Sequence, residues 1–286
     1  VNQVFRSASA SAPATSANLG PAFDCMAIAL EIRCTVKASP AEQWSVEHVG
    51  RFQPSPGEGD GVLSAARRAV GDDHPLSMRV EADIPIGKGL GSSAAAAVAG
   101  IAAALRAVDG EAGFDHIFRL AAELEGHADN VAAAVYGGLT LVPAEGLPIR
   151  LPIHPALQVV LAVPQRSLPT EQARRVIDVV HPQDRVQRSL ARVAALTSGL
   201  ITGDPALLWA AHGDEIHEQP RDDISPEVAD LIDIGRQAGA LHAARSGAGP
   251  SVITFCTNDS KERVADAYAE AGFEVLMPQL ASTGLV

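Results

Sequence analysis

The segment Pro85-Ile86-Gly87-Lys88-Gly89-Leu90-Gly91-Ser92-Ser93 constrains this chain more than any other. Three glycines alternate with larger residues, and the run passes straight into an Ala-rich stretch reaching Val108. Glycine adopts positive φ freely and lets backbone approach a ligand closely. Amides at a helix start, aided by the helix dipole, receive anions. Pro85, Gly87, Lys88, Gly89, Leu90, Gly91, Ser92 and Ser93 are therefore candidate phosphate-binding positions. A serine hydroxyl here can meet phosphate or Mg²⁺, and the sequence does not say whether Ser92 or Ser93 does so. The spacing fits neither GxxxxGK[ST] nor the dinucleotide GxGxxG. The plainer alternative is a turn with serine as N-cap.

Around this loop, strands and helices alternate irregularly. Period-two patterning marks strands at Val4–Ala10 and Leu30–Ala38, with a structured loop over Pro13–Asp24 between them. Helices are expected at 61–70, 92–108 and 115–125, and an apolar segment at 130–136. Strands are expected at 78–82, 157–163, 251–256 and 274–277. Further helices are expected at 170–180, 185–202, 204–215, 226–238 and 260–271. Such mixing favours an α+β architecture over a Rossmann fold or a barrel. The 286 residues suit one large domain or two lobes, and the prolines at 143, 148, 152 and 155 suggest a boundary near 150.

The net charge of −12 argues against nucleic acid as partner, because such binders carry a basic face. An acidic chain that binds an anion must gather its positive groups locally, which draws attention to Arg174 and Arg221. Cys25, Cys34 and Cys256 show neither CxxC nor regular spacing, as for reduced thiols. No charged segment followed by an apolar core opens the sequence, and the apolar run at 90–105 is a poor membrane span. A cytoplasmic protein without membrane partners is expected. The abundant alanine is read as genomic base composition.

Three other segments are weak signals singly. Asn18-Leu19-Gly20-Pro21-Ala22-Phe23-Asp24 could grip an amine or hydroxyl, or form only local Asx turns. Glu123-Leu124-Glu125-Gly126-His127-Ala128-Asp129-Asn130 offers a carboxylate to Mg²⁺, or is a helix end stopped at Gly126. Ser246-Gly247-Ala248-Gly249-Pro250-Ser251 is a second Gly-rich turn.

In this order, "PATSANLGPAFD", "PIGKGLGSSAAA", "EGHADNVA" and "SGAGPS" resemble the motifs of the GHMP kinase superfamily, over residues 8 to about 256. Within it the chain is most similar to the homoserine kinases, which "HEQPRDDISP" and "VPQRSLPTEQAR" also resemble. Mevalonate-kinase-like members carry a lysine in the first motif and an aspartate base in the middle. This chain has no lysine before Lys37, and Asn130 stands at the middle position. Ala22 replaces the usual glycine, and Cys25-Met26-Ala27 replaces a Thr/Ser-Leu-Gly run.

The resemblance implies a two-lobed GHMP kinase fold. A ribosomal-protein-S5-domain-2-like lobe would span residues 1–150, and a ferredoxin-like lobe residues 151–286. It implies phosphoryl transfer from ATP with Mg²⁺ to the hydroxyl of L-homoserine, in threonine biosynthesis; a homodimer is compatible with it. The loop Pro85–Ser93 would hold the phosphates, with Ser93 and Glu123 on the metal and Asn130 in the catalytic centre. Asn18, Asp24 and His127 would face the substrate amine and hydroxyl. Thr170, Arg174 and Arg221 would hold its carboxylate, and Gly247 would shape the site. The alternatives are another small-molecule GHMP kinase, or a non-catalytic ATP-binding regulator on this fold.

Overall fold

A computed structural model describes residues 6–54, 59–108 and 113–286, and in it the chain forms two sheets. The first contains β1 (Ala8–Ala17), β2 (Met26–Pro40), β3 (Ser45–Val49), β4 (Leu76–Ala82), β5 (Leu139–Leu141) and β6 (Ile149–Leu151). Its helices are α1 (Gly61–Val70), α2 (Ser92–Val108), α3 (Phe114–Glu125) and α4 (Asp129–Tyr136). Strand β2 is central. It pairs antiparallel with β1 along its length, with β4 over Cys34–Pro40, and with β5 over Met26–Ile28.

Helix α2 is buried on nearly every face, from Ala94 to Val108. A helix apolar all round belongs in a core, and small side chains let five elements crowd it. Gly100 lies against Val62, where a Cβ would come within 3.1 Å of Val62 Cγ1. In this helix, alanine is thus a packing requirement and not only a matter of base composition.

The second lobe runs β7 (Gln158–Val163), α5 (Thr170–Arg175), α6 (Gln183–Thr202), α7 (Pro205–Ala210), α8 (Gln219–Asp222), α9 (Glu227–Gln237), β8 (His242–Arg245), β9 (Val252–Cys256), α10 (Asn258–Glu270) and β10 (Glu274–Leu276). The strand order β10-β7-β9-β8 is that of a ferredoxin-like unit. Both faces of β7 are covered. Val159, Leu161 and Val163 join the core shared with the first lobe, while Val160 and Ala162 pack with residues of α9 and α10. Two-sided burial explains the continuous apolar run in the sequence.

Several elements differ from the sequence-based expectations. Residues 14–17, expected as loop, continue β1 past a register shift at Pro13/Ala14, a bulge at a residue that lacks an N–H. Part of the strand expected at Val4–Ala10 lies outside the described residues. Helix α5 stops at Arg175 and α7 at Ala210; β3, β5, β6, β8 and α8 were not expected. The last residues leave the second lobe. Leu280 bridges Leu30, and Ser11 and Val286 exchange backbone hydrogen bonds of 2.9 Å. Arg33 and Arg106 donate to the carbonyls of Gly284 and Val286. Among the described residues, no helix is long and apolar enough to cross a membrane.

Candidate active site

A cleft of about 210 Å³ lies between the lobes, and the glycine-rich loop forms one wall. Gly87, Gly89 and Gly91 have φ of 69°, 76° and 66°. Two of these positions also lack room for a side chain: a Cβ at Gly89 would collide with the Ser246 carbonyl, and one at Gly91 with Thr15 Oγ1. The loop carbonyls face the scaffold. Leu168 N–H donates to Gly87 O (3.0 Å), Ser251 N–H to Lys88 O (3.2 Å), Ser246 Oγ to Gly89 O (2.7 Å) and Thr15 N–H to Leu90 O (3.1 Å). With its oxygens tied back, the loop presents amides to the cleft, next to the free N–H groups of the first turn of α2. That arrangement receives an anion.

Two members of the loop stand apart. Pro85 is buried beneath it. The Lys88 ammonium donates to the carbonyls of Gln165 and Arg166, a brace across the lobes rather than a lining group.

The carboxylate beside the loop is Glu125, not Glu123. Ser93 Oγ donates to Glu125 Oε1 at 2.6 Å. Glu123 points to solvent and pairs with Arg68 at 2.9 Å. Glu123, expected on the metal, thus lies away from the cleft, for a reason that lies in helix periodicity. Ile117, Phe118 and Ala121 form the buried stripe of α3. Glu125 follows them at i+8, i+7 and i+4, whereas Glu123 falls on the opposite side. Gly126 then ends the helix in a left-handed conformation, and His127 returns beside Glu125. His127 Nδ1 lies 3.2 Å from the buried Asp129 carboxylate, and this bond, more than any other cause, raises the imidazole pKa. The hydroxyl and carboxylate of Ser93 and Glu125 are hard oxygen donors at the edge of the glycine-rich loop, a set that suits Mg²⁺.

The opposite end of the cleft is made from charged side chains of both lobes. Asn18, Leu19 and Asp24 have φ of 68°, 49° and 56°. Each such conformation costs a non-glycine residue roughly 1–2 kcal/mol. Asn18 holds this turn together: its Oδ1 accepts from Asp24 N–H (3.0 Å) and its Nδ2 donates to Gly247 O (3.0 Å). Arg174 of α5 forks onto Asp24 at 2.7 and 3.1 Å. Both side chains remain over a third exposed, so the pair is open to exchange with an incoming solute.

Arg221 of α8 is 2% exposed and fixed by Ala173 O (3.0 Å) and His217 Nδ1 (2.8 Å). Burial lowers its pKa to about 10, so it stays charged at neutral pH. The guanidinium carbons of Arg174 and Arg221 lie 5.9 and 5.7 Å from the centre of the Phe23 ring. That ring in turn stacks on His217 at 4.9 Å.

The structure thus brings together Asn18, Asp24, Thr170, Arg174 and Arg221 at one end, with Gly247 between them and Gly89. It brings Gly87, Gly89, Leu90, Gly91, Ser92 and Ser93 together at the other, with His127 and Asn130 also lining the cleft. Asn130 Oδ1 accepts from Thr15 Oγ1 at 2.7 Å. The sequence reading assigned no role to Glu125, Phe23, His217 or His242. Glu125 had a legible signal in the stripe of α3, and His217 opens the quoted segment HEQPRDDISP.

The description "GHMP kinases N terminal domain" matches residues 60–138, and "GHMP kinases C terminal" matches 199–274. A homoserine kinase of Moorella thermoacetica is 34% identical over 281 residues, covering 94% of this chain and 95% of the relative. One from Thermus thermophilus is 38% identical over 247 residues, covering 85% of each. The crystal structure of homoserine kinase from Cytophaga hutchinsonii superposes with a TM-score of 0.86 at 25% identity, over 100% of this chain and 98% of that one. Methanococcus jannaschii mevalonate kinase, 15% identical with a TM-score of 0.73, shares the fold over 95% of this chain and 98% of its own.

Proposed function

The chain belongs to the homoserine kinases of the GHMP kinase family, and on that premise we propose how its cleft moves the γ-phosphoryl group of ATP to the side-chain hydroxyl of L-homoserine. The products are O-phospho-L-homoserine, ADP and a proton. One observation carries the reading: a carboxylate, Asp24, and two guanidiniums, Arg174 and Arg221, share the cleft with the phosphate loop. A zwitterionic amino acid has one charge for each. Its ammonium replaces the Arg174 guanidinium on Asp24, and its carboxylate receives Arg174 and the buried Arg221. The hydroxyl then points along the cleft toward the loop.

The amides of Gly89–Ser93 and the dipole of α2 hold the phosphates. Ser93 and Glu125 would hold Mg²⁺. When bound, the ion neutralises charge on the phosphate oxygens. Asn130, fixed by Thr15, orients the acceptor region without acting as a base. A loose transition state makes positioning and electrostatics the main contributions, in keeping with an amide where a carboxylate base would stand. Three free cysteines fit a cytoplasmic setting.

ADP release with MgATP and L-homoserine, L-serine, L-threonine, mevalonate or shikimate tests the reading. Turnover confined mainly to L-homoserine is expected. Preference for an alcohol lacking the amine or carboxylate would overturn it, and ATP binding without turnover would favour a regulator.

A further inference from the structure

Two histidines of the second lobe meet consecutive carbonyls of the left-handed turn in the first. His217 Nε2 lies 2.7 Å from Gly20 O, and His242 Nε2 lies 2.9 Å from Leu19 O. Both imidazoles are completely buried. Their partners define their protons. A carbonyl only accepts, so each Nε2 carries the hydrogen. Arg221 only donates, so His217 Nδ1 is bare and accepts from it at 2.8 Å. His242 Nδ1 faces His212 Nδ1 at 3.1 Å. Asp214 Oδ2 is 3.7 Å from His217 Nε2, beyond hydrogen-bond reach, and is occupied by the N–H groups of Ile216, His217 and Glu218.

We propose that His217 and His242 are positioning residues for substrate binding: they hold the Leu19–Gly20 turn so that Asn18 and Asp24 face Arg174 and Arg221. Several observations carry this. Leu19 adopts a left-handed conformation that its side chain disfavours, so contacts outside the turn must fix it. The contact is tight: a Cβ at Gly20 would lie 3.4 Å from His242 Nε2 and 3.3 Å from Ala244 Cβ. His217 is bonded at both ends to the machinery, with Gly20 on one nitrogen and Arg221 on the other. Desolvation lowers both pKa values to about 4, so both rings stay neutral and keep one acceptor and one donor. Neither histidine lines the cleft. They act through Asn18, Asp24 and Arg221, and not on the substrate.

The inference rests on the proposed homoserine site, and the test separates the two. A Gln amide reaches where Nε2 sits and donates to the same carbonyl; an Asn amide ends nearer Nδ1 and does not. His242→Gln should keep KM for homoserine within about threefold of wild type, whereas His242→Asn should raise it tenfold or more. His217→Gln keeps the bond to Gly20 O but gives up the acceptor for Arg221, and His217→Asn does the reverse, so both should raise it. KM for ATP should change less than twofold in all four. His217→Leu and His242→Leu, where folded by thermal melting, should behave as His242→Asn. Equal homoserine KM values for His242→Gln and His242→Asn would overturn the inference, as would parallel rises for ATP and homoserine. Arg174→Ala is measured alongside. If it raises homoserine KM while the histidine variants do not, the positioning inference alone fails. If it too leaves KM unmoved, the substrate site fails, and the inference with it.

Discussion

The two ends of the cleft are built from different materials. The phosphate end is backbone: three left-handed glycines, carbonyls turned outward, and the start of a buried helix. The acceptor end is side chain: Asp24, Arg174, Arg221, and the rings of Phe23 and His217 packed around them. The first uses geometry that only glycine supplies, in a single stretch of sequence. The second joins charges about 150 residues apart. On the proposed function, backbone recognises what every ATP shares, whereas side chains distinguish one acceptor from another.

Substitutions should separate the two ends cleanly. The largest effect is expected from Gly89→Ala or Gly91→Ala, since a methyl group at either site collides with Ser246 O or Thr15 Oγ1. Turnover should fall at least about 100-fold, as for an ångström-scale misplacement of bound reactants. Lys88→Ala, in the same loop, should stay within about threefold, because its ammonium braces Gln165 and Arg166. Steady-state kinetics check both, and a severe loss in Lys88→Ala would place a side chain in the phosphate end.

Glu125→Gln should raise the Mg²⁺ concentration for half-maximal activity about 10- to 100-fold. Glu123→Gln should match wild type, since its exposed pair with Arg68 is worth under about 1 kcal/mol. A Mg²⁺ titration of both variants decides which glutamate serves the metal.

The smallest effect is in stability against pH. Burial holds the folded pKa of His242 at about 4, below the ordinary histidine value of 6.5. Its contribution to stability is full above pH 6.5 and is lost as pH falls toward 4. The raised pKa of Glu218, about 7, gives the opposite slope over part of that range, so wild type alone is not diagnostic. The difference from His242→Gln is. Wild type should lose stability on acidification faster by up to about 1.4 kcal/mol per pH unit. Denaturant unfolding at pH 4.5, 5.5 and 6.5 measures it; identical slopes would mean that His242 takes up its proton without unfolding.

What was legible in the sequence follows the same division. The glycine-rich loop, the buried helix behind it and the order of the four motifs could be read because their determinants are local. That Glu125 and not Glu123 faces the cleft was available from the α3 stripe. The segment HEQPRDDISP singled out the stretch that holds His217, but not what the ring does; the roles of Phe23 and His242 were not available. Each depends on a contact across the lobes, and a histidine in a sequence carries no mark of burial or tautomer. Short strands such as β5 and β6, held by neighbours and only three residues long, also left no periodic pattern to read.

The most direct test of the acceptor end compares L-homoserine with L-homoserine amide, in wild type and in Arg174→Ala. The amide keeps the hydroxyl and the ammonium but lacks the carboxylate. If Arg174 reads that carboxylate, wild type should prefer homoserine in kcat/KM by about 10- to 100-fold, the worth of charge-assisted hydrogen bonds. Arg174→Ala should lose most of that preference while its KM for ATP stays unchanged. An undiminished preference in Arg174→Ala would contradict the account, since the carboxylate would then be read elsewhere.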